Sequence, residues 1–189
     1  MDIQIRACSA VDWDAAARID DRFIVDSVLV LTLEEGRIGY TVRQTDRREK
    51  SYPHEPFSGD ADVADEEGSG GLADADRTAY VAWAGERPVG RIMLKRSWNG
   101  YACVEDIAVD RKYRRYGIGR RLIEQAKQWA GAGGMPGIML ETQNNNVEAC
   151  RFYESCGFVI GGFDRHLYRG FPDLRDEVAI FWYWLPDRE

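Results

Sequence analysis

Asn99-Gly100 marks the point where the chain changes its pattern, and that change restricts the fold more than any other feature. Before it, "TAYVAWAG" and "RPVGRIMLKRSW" are β-forming runs parted by Gly85-Glu86, and after it comes a third, "YACVEDIAV". Short turns of these residue types join antiparallel strands, so the three runs predict a meander. Beyond Val109 the order switches to a helix over 117–130, the strand "GIMLE", the helix "NVEACRFYES" and the strand "GFVIGGF". A strand that returns through a helix lies parallel to its predecessor, because the crossover carries the chain back to the end where it started. The expectation is an α+β fold with a mixed central β-sheet, antiparallel on one side and parallel on the other, flanked by helices.

The flanks add to this frame. Ser9 can cap a helix over Ala10 to Ile19, where Val11, Ala15, Ala16 and Ile19 recur at helical spacing after a short strand around Ile3 to Arg6. "SVLVLTL" and "IGYTVRQ" flank Glu35-Gly36-Arg37 as a hairpin, and "EVAIFWYWL" is a closing strand. Between Glu55 and Asp76 stand eight carboxylates and four glycines with no lysine or arginine, the composition of a long acidic loop, at about 54–77. With neither an internal repeat nor an interdomain linker, residues 1–189 read as one domain.

The segment "VDRKYRRYGIGRRLIEQAKQWA" puts Gly117 and Gly119 between a basic cluster and a helix. Bare amides at a helix start, with the positive end of its dipole, bind anions without a charged side chain, and phosphate is the first guess. Two common phosphate loops are excluded. No Lys-Ser or Lys-Thr follows Gly119, so the nucleotide triphosphate loop lacks its lysine and its magnesium hydroxyl. The dinucleotide fingerprint fails because Arg121 and Leu122 stand where a third small residue is needed.

A net charge of -7 argues against general nucleic-acid binding and favours a cationic partner. No apolar run approaches the roughly 18 to 20 residues of a membrane span, and "MDIQIRACSA" is not a signal sequence, so no membrane association and a cytoplasmic location are expected. Cys8, Cys103, Cys150 and Cys156 form no CxxC pair and His54 and His166 lie far apart, which is neither a metal pattern nor a disulfide framework. Buried free thiols are expected instead, and no metal.

Arg114 to Gly119 fits Arg/Gln-x-x-Gly-x-Gly/Ala, and Asn146, Ala149, Phe152, Tyr153, Gly157 and Phe158 fit Asn-x-x-Ala-x-x-Phe-Tyr-x-x-x-Gly-Phe at full spacing. Both patterns, in this order, resemble those of the GCN5-related N-acetyltransferases. The resemblance implies that the loop of Arg114, Arg115, Tyr116, Gly117, Ile118, Gly119 and Arg120 holds the pyrophosphate of acetyl-CoA through backbone amides; the side chains of Arg114, Arg115 and Arg120 either add ionic contacts to the phosphates or are simply solvated. It also implies that strand 101–109 splays away from strand 137–141, with pantetheine laid along Ile107, Ala108 and Val109. "WNGYACVEDIAVDRKYRRYGIG", "MLETQNNNVEACRFYESCGFVIGGFD", Leu167-Tyr168, "AIFWYW" and the "YPHEPF" box look like the streptothricin acetyltransferases over almost the whole chain. That subfamily is implied to acetylate an amine on the β-lysine part of streptothricin antibiotics and so to inactivate them; it commonly has Asp-Thr where this chain has Asp164-Arg165.

Acetyl transfer to an amine needs the amine unprotonated, the oxyanion stabilised and a proton for the leaving thiolate. An aliphatic ammonium has a pKa of about 10.4, so a carboxylate must take its proton, and Glu105 is the first choice as base; structural pairing is its competing role. Strand alternation puts Asp106 on the opposite face. The resemblance makes Tyr153 the proton donor to sulfur, with plain core packing as the alternative. Asn146 either only caps its helix or also bonds the pantetheine arm. The oxyanion would be met by a strand amide at Ile107 or its neighbour. For the cationic amine substrate the candidates are Glu141 beside the splay, Asp164 and Tyr168 beyond the next strand, and Asp106. The acidic loop either steers a polycation or is simply solvated. A homodimer is compatible with this reading.

Overall fold

The computed structural model describes residues 2–52 and 76–186. Most of the acidic loop, with the box beyond Tyr52, lies outside the described residues. The elements are β1 (Ile3–Ala7), α1 (Ala10–Ala16), β2 (Phe23–Glu34), β3 (Arg37–Lys50), β4 (Arg77–Ala84), β5 (Arg87–Arg96), β6 (Ala102–Val109), α2 (Ile118–Ala132), β7 (Ile138–Gln143), α3 (Val147–Ser155), β8 (Val159–Asp164) and β9 (Ala179–Trp184). Seven strands form one sheet in the order β1-β4-β5-β6-β7-β9-β8, and β2 pairs with β3. Only β6 and β7 run parallel within the seven; every other described pairing is antiparallel. This is the mixed α+β sheet expected from the sequence.

Local chemistry sets the element ends. Ser9 caps α1 in a reciprocal box, its hydroxyl accepting from the Asp12 amide at 3.3 Å while its own amide donates to Asp12 at 3.0 Å. The helix expected to reach Ile19 stops at Ala16, because the next turn tightens into bonds from the Arg18 and Ile19 amides to the Ala15 and Ala16 carbonyls. Ile19 nevertheless stays buried. Glu35 and Gly36, both at positive φ, form the two-residue turn between β2 and β3, whose hand suits the strand twist. These strands extend past the expected runs, through the charged segment "TDRREK".

The two faces of the large sheet bury different sets. On one face Trp13, Ala16 and Ile19 from α1 and its trailing turn pack on Ala79, Val81 and Met93. On the other, Ile118, Leu122, Ile123, Ala126 and Ala130, one stripe of α2, cover Ile92, Leu94, Ala102 and Val104. Arg91 sits 1% exposed on the α1 face. Its guanidinium bonds the Ala16 carbonyl at 2.7 Å and the Asp106 carboxylate at 2.5 Å and lies over the Trp13 ring. The Asp106 side chain is 35% exposed, so the pair is only half-buried, but removing the carboxylate would leave Arg91 as a buried charge with less compensation, which destabilises the fold.

Two irregularities position the site. β6 and β7 pair only from Ala102 opposite Ile138 to Val104 opposite Leu140, then part, so the β7-facing backbone of Asp106 to Val109 meets a notch. At the same place Met93 faces Asp106 and Leu94 faces Val104, which leaves Glu105 as the extra residue of a β-bulge. Buried Asn144, just after β7, then clamps three segments. Its carbonyl and side-chain amide bond Leu29 at 2.8 and 3.0 Å, and its side-chain oxygen accepts from the Val178 amide at 3.0 Å. The hairpin is thereby held across the open end of the notch.

Candidate active site

Around the notch lies a cavity of about 540 Å³. Ile107, Ala108 and Val109 form its strand wall, Arg114, Arg115, Gly117, Ile118, Gly119 and Arg120 its loop and helix start, and Asn146 and Tyr153 its far side. Every one of these is a cofactor contact that the sequence predicts. Of that set only Tyr116 is not part of the wall; its side chain stands out in solvent.

The loop is built to face its amides inward. Buried Asp110 accepts from the Lys112 amide at 3.0 Å and caps a 3-10 turn over Arg111–Tyr113. Arg114 turns back to bond the carbonyls of Val109 at 3.2 Å and Asp21 at 2.7 Å, which pins the loop and occupies its guanidinium. Arg115 and Gly117 then adopt positive φ, and Gly117 begins α2 with no side-chain cap. The first amides of α2 are thus left for an anion, as the glycines suggested.

The two glycines differ in what they provide. A Cβ on Gly117 would meet nothing within 4 Å, so its glycine answers to the left-handed φ of +78°. A Cβ on Gly119 would come within 3.1 Å of the Phe152 ring, so that glycine lets α2 lie close against α3. Arg120 reinforces this contact by bonding the Ser155 carbonyl at 2.9 Å and hydroxyl at 3.1 Å.

Tyr153 projects from α3 among Phe152, Phe158 and Trp182, with ring centroids 5.5 to 6.2 Å away. Burial pushes its phenol far above the ordinary value, and Tyr52, Cys150, Asp106 and Glu141 add to the effect. Such a phenol holds its proton until a strong base forms beside it. Asn146 does cap α3, its side-chain oxygen accepting from the Ala149 amide at 3.2 Å, while its amide nitrogen donates to the Tyr52 hydroxyl at 3.3 Å. Burial raises the Tyr52 phenol as well. Tyr52 and Arg151 also line the cavity and escaped the sequence reading. Tyr52 opens the "YPHEPF" box, while Arg151 carries no motif signal of its own.

The carboxylates depart from expectation. Glu105 and Asp106 do not face opposite ways. Glu105 bonds Arg77 at 3.0 Å, and Arg77 touches Met93, on the face where Asp106 meets Arg91. The bulge absorbs one residue of the alternation and brings both to one side. Asp106 lines the cavity and Glu105 does not.

Glu141, Asp164 and Tyr168 are not in the cavity wall. Glu141 lies on β7 just past the last pairing with β6, and buried Tyr168 donates its hydroxyl proton to it. Glu141 is an exposed residue by its accessible surface, yet protein crowds its carboxyl enough to raise it; the Tyr168 bond and the Lys50 charge oppose the rise and Glu177 adds to it. Asp164 instead accepts from the His166 amide at 2.6 Å in a local turn. The four cysteines are free; burial holds Cys8 and Cys150 up to about 12, so they are thiols and not nucleophiles at neutral pH.

The acetyltransferase (GNAT) family model matches residues 40–158, which spans the notch, the glycine loop and α3. Streptothricin acetyltransferase A of Bacillus subtilis (strain 168) is 37% identical over 87% of this chain and 90% of its own length. A streptothricin acetyltransferase of Escherichia coli is 34% identical over 87% of this chain and 86% of its own. A crystal structure from Bacillus anthracis str. Ames, provisionally named a streptothricin acetyltransferase and solved in complex with acetyl coenzyme A, superposes with a TM-score of 0.83 at 47% identity, covering 99% of both chains.

Proposed function

Because the chain belongs to the acetyltransferase (GNAT) family, we propose that it transfers the acetyl group of acetyl-CoA to an amine of a streptothricin antibiotic, on its β-lysine part, and so confers resistance. The observation that carries this reading is the match, along nearly their whole length, to relatives that bear this activity in their names. The cavity supports the cofactor half. Unpaired amides at the start of α2 and the rim residues Arg115 and Arg151 suit a pyrophosphate, and the β7-facing backbone of Ile107 to Val109 can pair with an extended pantetheine arm.

Bound there, acetyl-CoA supplies an acyl group activated as a thioester. The protein supplies position and protons. A backbone amide at Ile107 or its neighbour meets the oxyanion, and Tyr153 gives a proton to the departing sulfur. The acceptor approaches from the sheet face that carries Glu105, Asp106 and Glu141, where a cationic substrate suits the carboxylates and the net charge of -7. In this reading the enzyme acts in the cytoplasm. Among the described residues no helix is long and apolar enough to cross a membrane.

Expressing the chain in a streptothricin-sensitive bacterium is expected to give resistance that Tyr153→Phe abolishes at equal protein level. Sensitive cells containing soluble wild-type protein would remove the antibiotic from this account.

A further inference from the structure

α1 covers only part of the sheet face that carries Glu105, Asp106 and Glu141. It packs on Ala79, Val81 and Met93 of β4 and β5. On β6, β7 and β9 the same face presents a row in which Cys103 stands opposite Met139 and Met139 opposite Tyr183. Strand alternation brings Tyr101 to this face as well, and all four residues are half-buried.

Two of these side chains make a braced corner. The Tyr101 and Tyr183 ring centroids lie 5.4 Å apart with the planes at 79°. A Cβ on Gly161 would come within 2.4 and 2.6 Å of the Tyr183 ring, so that ring leans on bare backbone of β8 that only glycine provides. Gly161 is itself the extra residue of a bulge between Ile160 and Gly162. β7 runs between the strands of the two rings, and the sulfur of Met139 accepts from the Asn99 side-chain amide at 3.4 Å. A corner of aromatic surface backed by a polarisable thioether suits a cation, because ring faces carry negative potential. Other rings are served by the protein's own cations. Lys50 lies over Tyr52, Arg87 over Tyr113, Arg91 over Trp13 and Lys127 over Trp184. Among the described residues no lysine or arginine stands over Tyr101 or Tyr183.

The charges around the corner give it a direction. Glu141 stands two residues along β7 from Met139, at the edge of the splay, and forms no ion pair among the described residues, whereas Glu105 is paired with Arg77 and Asp106 with Arg91. Lys95, opposite Cys103 on β5, bounds the row with a positive charge and turns a cationic ligand toward β9. Strands rise about 3.3 Å per residue, so the Met139 row lies roughly 7 Å and the Tyr101 end roughly 13 Å from the splay. The geometry points to Tyr101, Met139 and Tyr183 as the seat of a second cationic group of the acceptor, carried beyond the amine that is acetylated.

This inference rests on the acetyltransferase reading and deepens it. A monoamine lacks the second contact and an elongated polycation has it, so the corner selects acceptors by length and charge. It touches no reacting atom, and its contribution therefore falls on KM and not on kcat.

The test is isothermal titration of the full-length protein, saturated with coenzyme A, with two ligands. One is β-lysine amide, which ends at the reacting part; the other is streptothricin, which carries a guanidine group beyond it. Wild-type protein is expected to bind streptothricin at least about tenfold more tightly than the amide. Tyr183→Leu keeps apolar bulk and loses the ring, so it should weaken streptothricin about three- to thirtyfold and leave β-lysine amide and coenzyme A within about twofold. Tyr183→Phe keeps the ring and should bind as wild type does. Tyr101→Leu removes the other wall and should act like Tyr183→Leu, which keeps the test open if that variant does not fold. In turnover the streptothricin KM should follow the same pattern at nearly unchanged kcat, which a general loss of structure would not produce. Equal affinity of wild-type protein for the two ligands, or a loss in the leucine variants shared by both, overturns the subsite. Sedimentation that finds a wild-type dimer and a Tyr183→Leu monomer gives the face to a second copy of the chain and overturns it too. Wild-type protein that binds streptothricin through Tyr183 yet transfers no acetyl group sinks the acetyltransferase reading and spares the subsite.

Discussion

Tyr153→Phe lowers kcat by about ten- to a thousandfold while the KM values for both substrates and the unfolding midpoint stay close to wild type. One oxygen is lost from a ring whose contacts are otherwise aromatic, with Phe152, Phe158 and Trp182, so packing is preserved. What disappears is a proton held in place by burial. An ordinary phenol with a pKa of about 10 already exceeds a thiol at about 8.5, and burial raises Tyr153 further, which keeps the donor protonated across the working range but makes it the weaker acid, so the transfer is favourable only to a departing thiolate desolvated in the same site. Steady-state kinetics with circular dichroism as the folding control checks this, and full turnover in the variant would reduce Tyr153 to a packing residue.

Gly119→Val raises the acetyl-CoA KM by at least about tenfold, and unlike a change on open surface it also loosens the helix pair. Even a Cβ there approaches the Phe152 ring to 3.1 and 3.3 Å, and Phe152 lines the same cavity. A branched side chain must push α2 from α3 and carry the first amides of α2 off their target, and a displacement of that size weakens both phosphate contact and packing. Isothermal titration with coenzyme A separates the two effects when set beside urea unfolding. Unchanged coenzyme A affinity would show that the glycine loop does not hold the phosphates. Gly117→Ala makes the useful contrast, since its Cβ has room and only the left-handed backbone is penalised, by about 1 kcal/mol.

Periodicity and turn residues were enough to order most strands and helices along the chain, although α1 ends earlier and β2 and β3 run longer than their local signals. The meander, the glycine-led α2 and the Asn146 cap all stand where residue type and spacing put them. What the sequence hid is non-local. A bulge has no composition of its own, so an unbroken alternation through Glu105 and Asp106 was the natural assumption and it failed. Arg91 sits in the strand run "RPVGRIML", and its partners come from α1 and β6. Lys50, Gln143 and Glu177 are far apart in sequence and meet where Asn144 ties the hairpin to β7 and to the residue before β9. The sequence offers Glu141 and Tyr168 as substrate contacts, yet nothing in their spacing announces that one donates to the other.

The central claim is acetyl transfer to one particular amine, and it is tested most directly by mixing purified protein with acetyl-CoA and streptothricin and mapping the product by tandem mass spectrometry. The account predicts one acetyl group on an amine of the β-lysine part, formed in step with free thiol and absent when Tyr153→Phe replaces the wild-type protein. Thiol release with an unmodified antibiotic, or acetylation confined to some other part of the molecule, would contradict it.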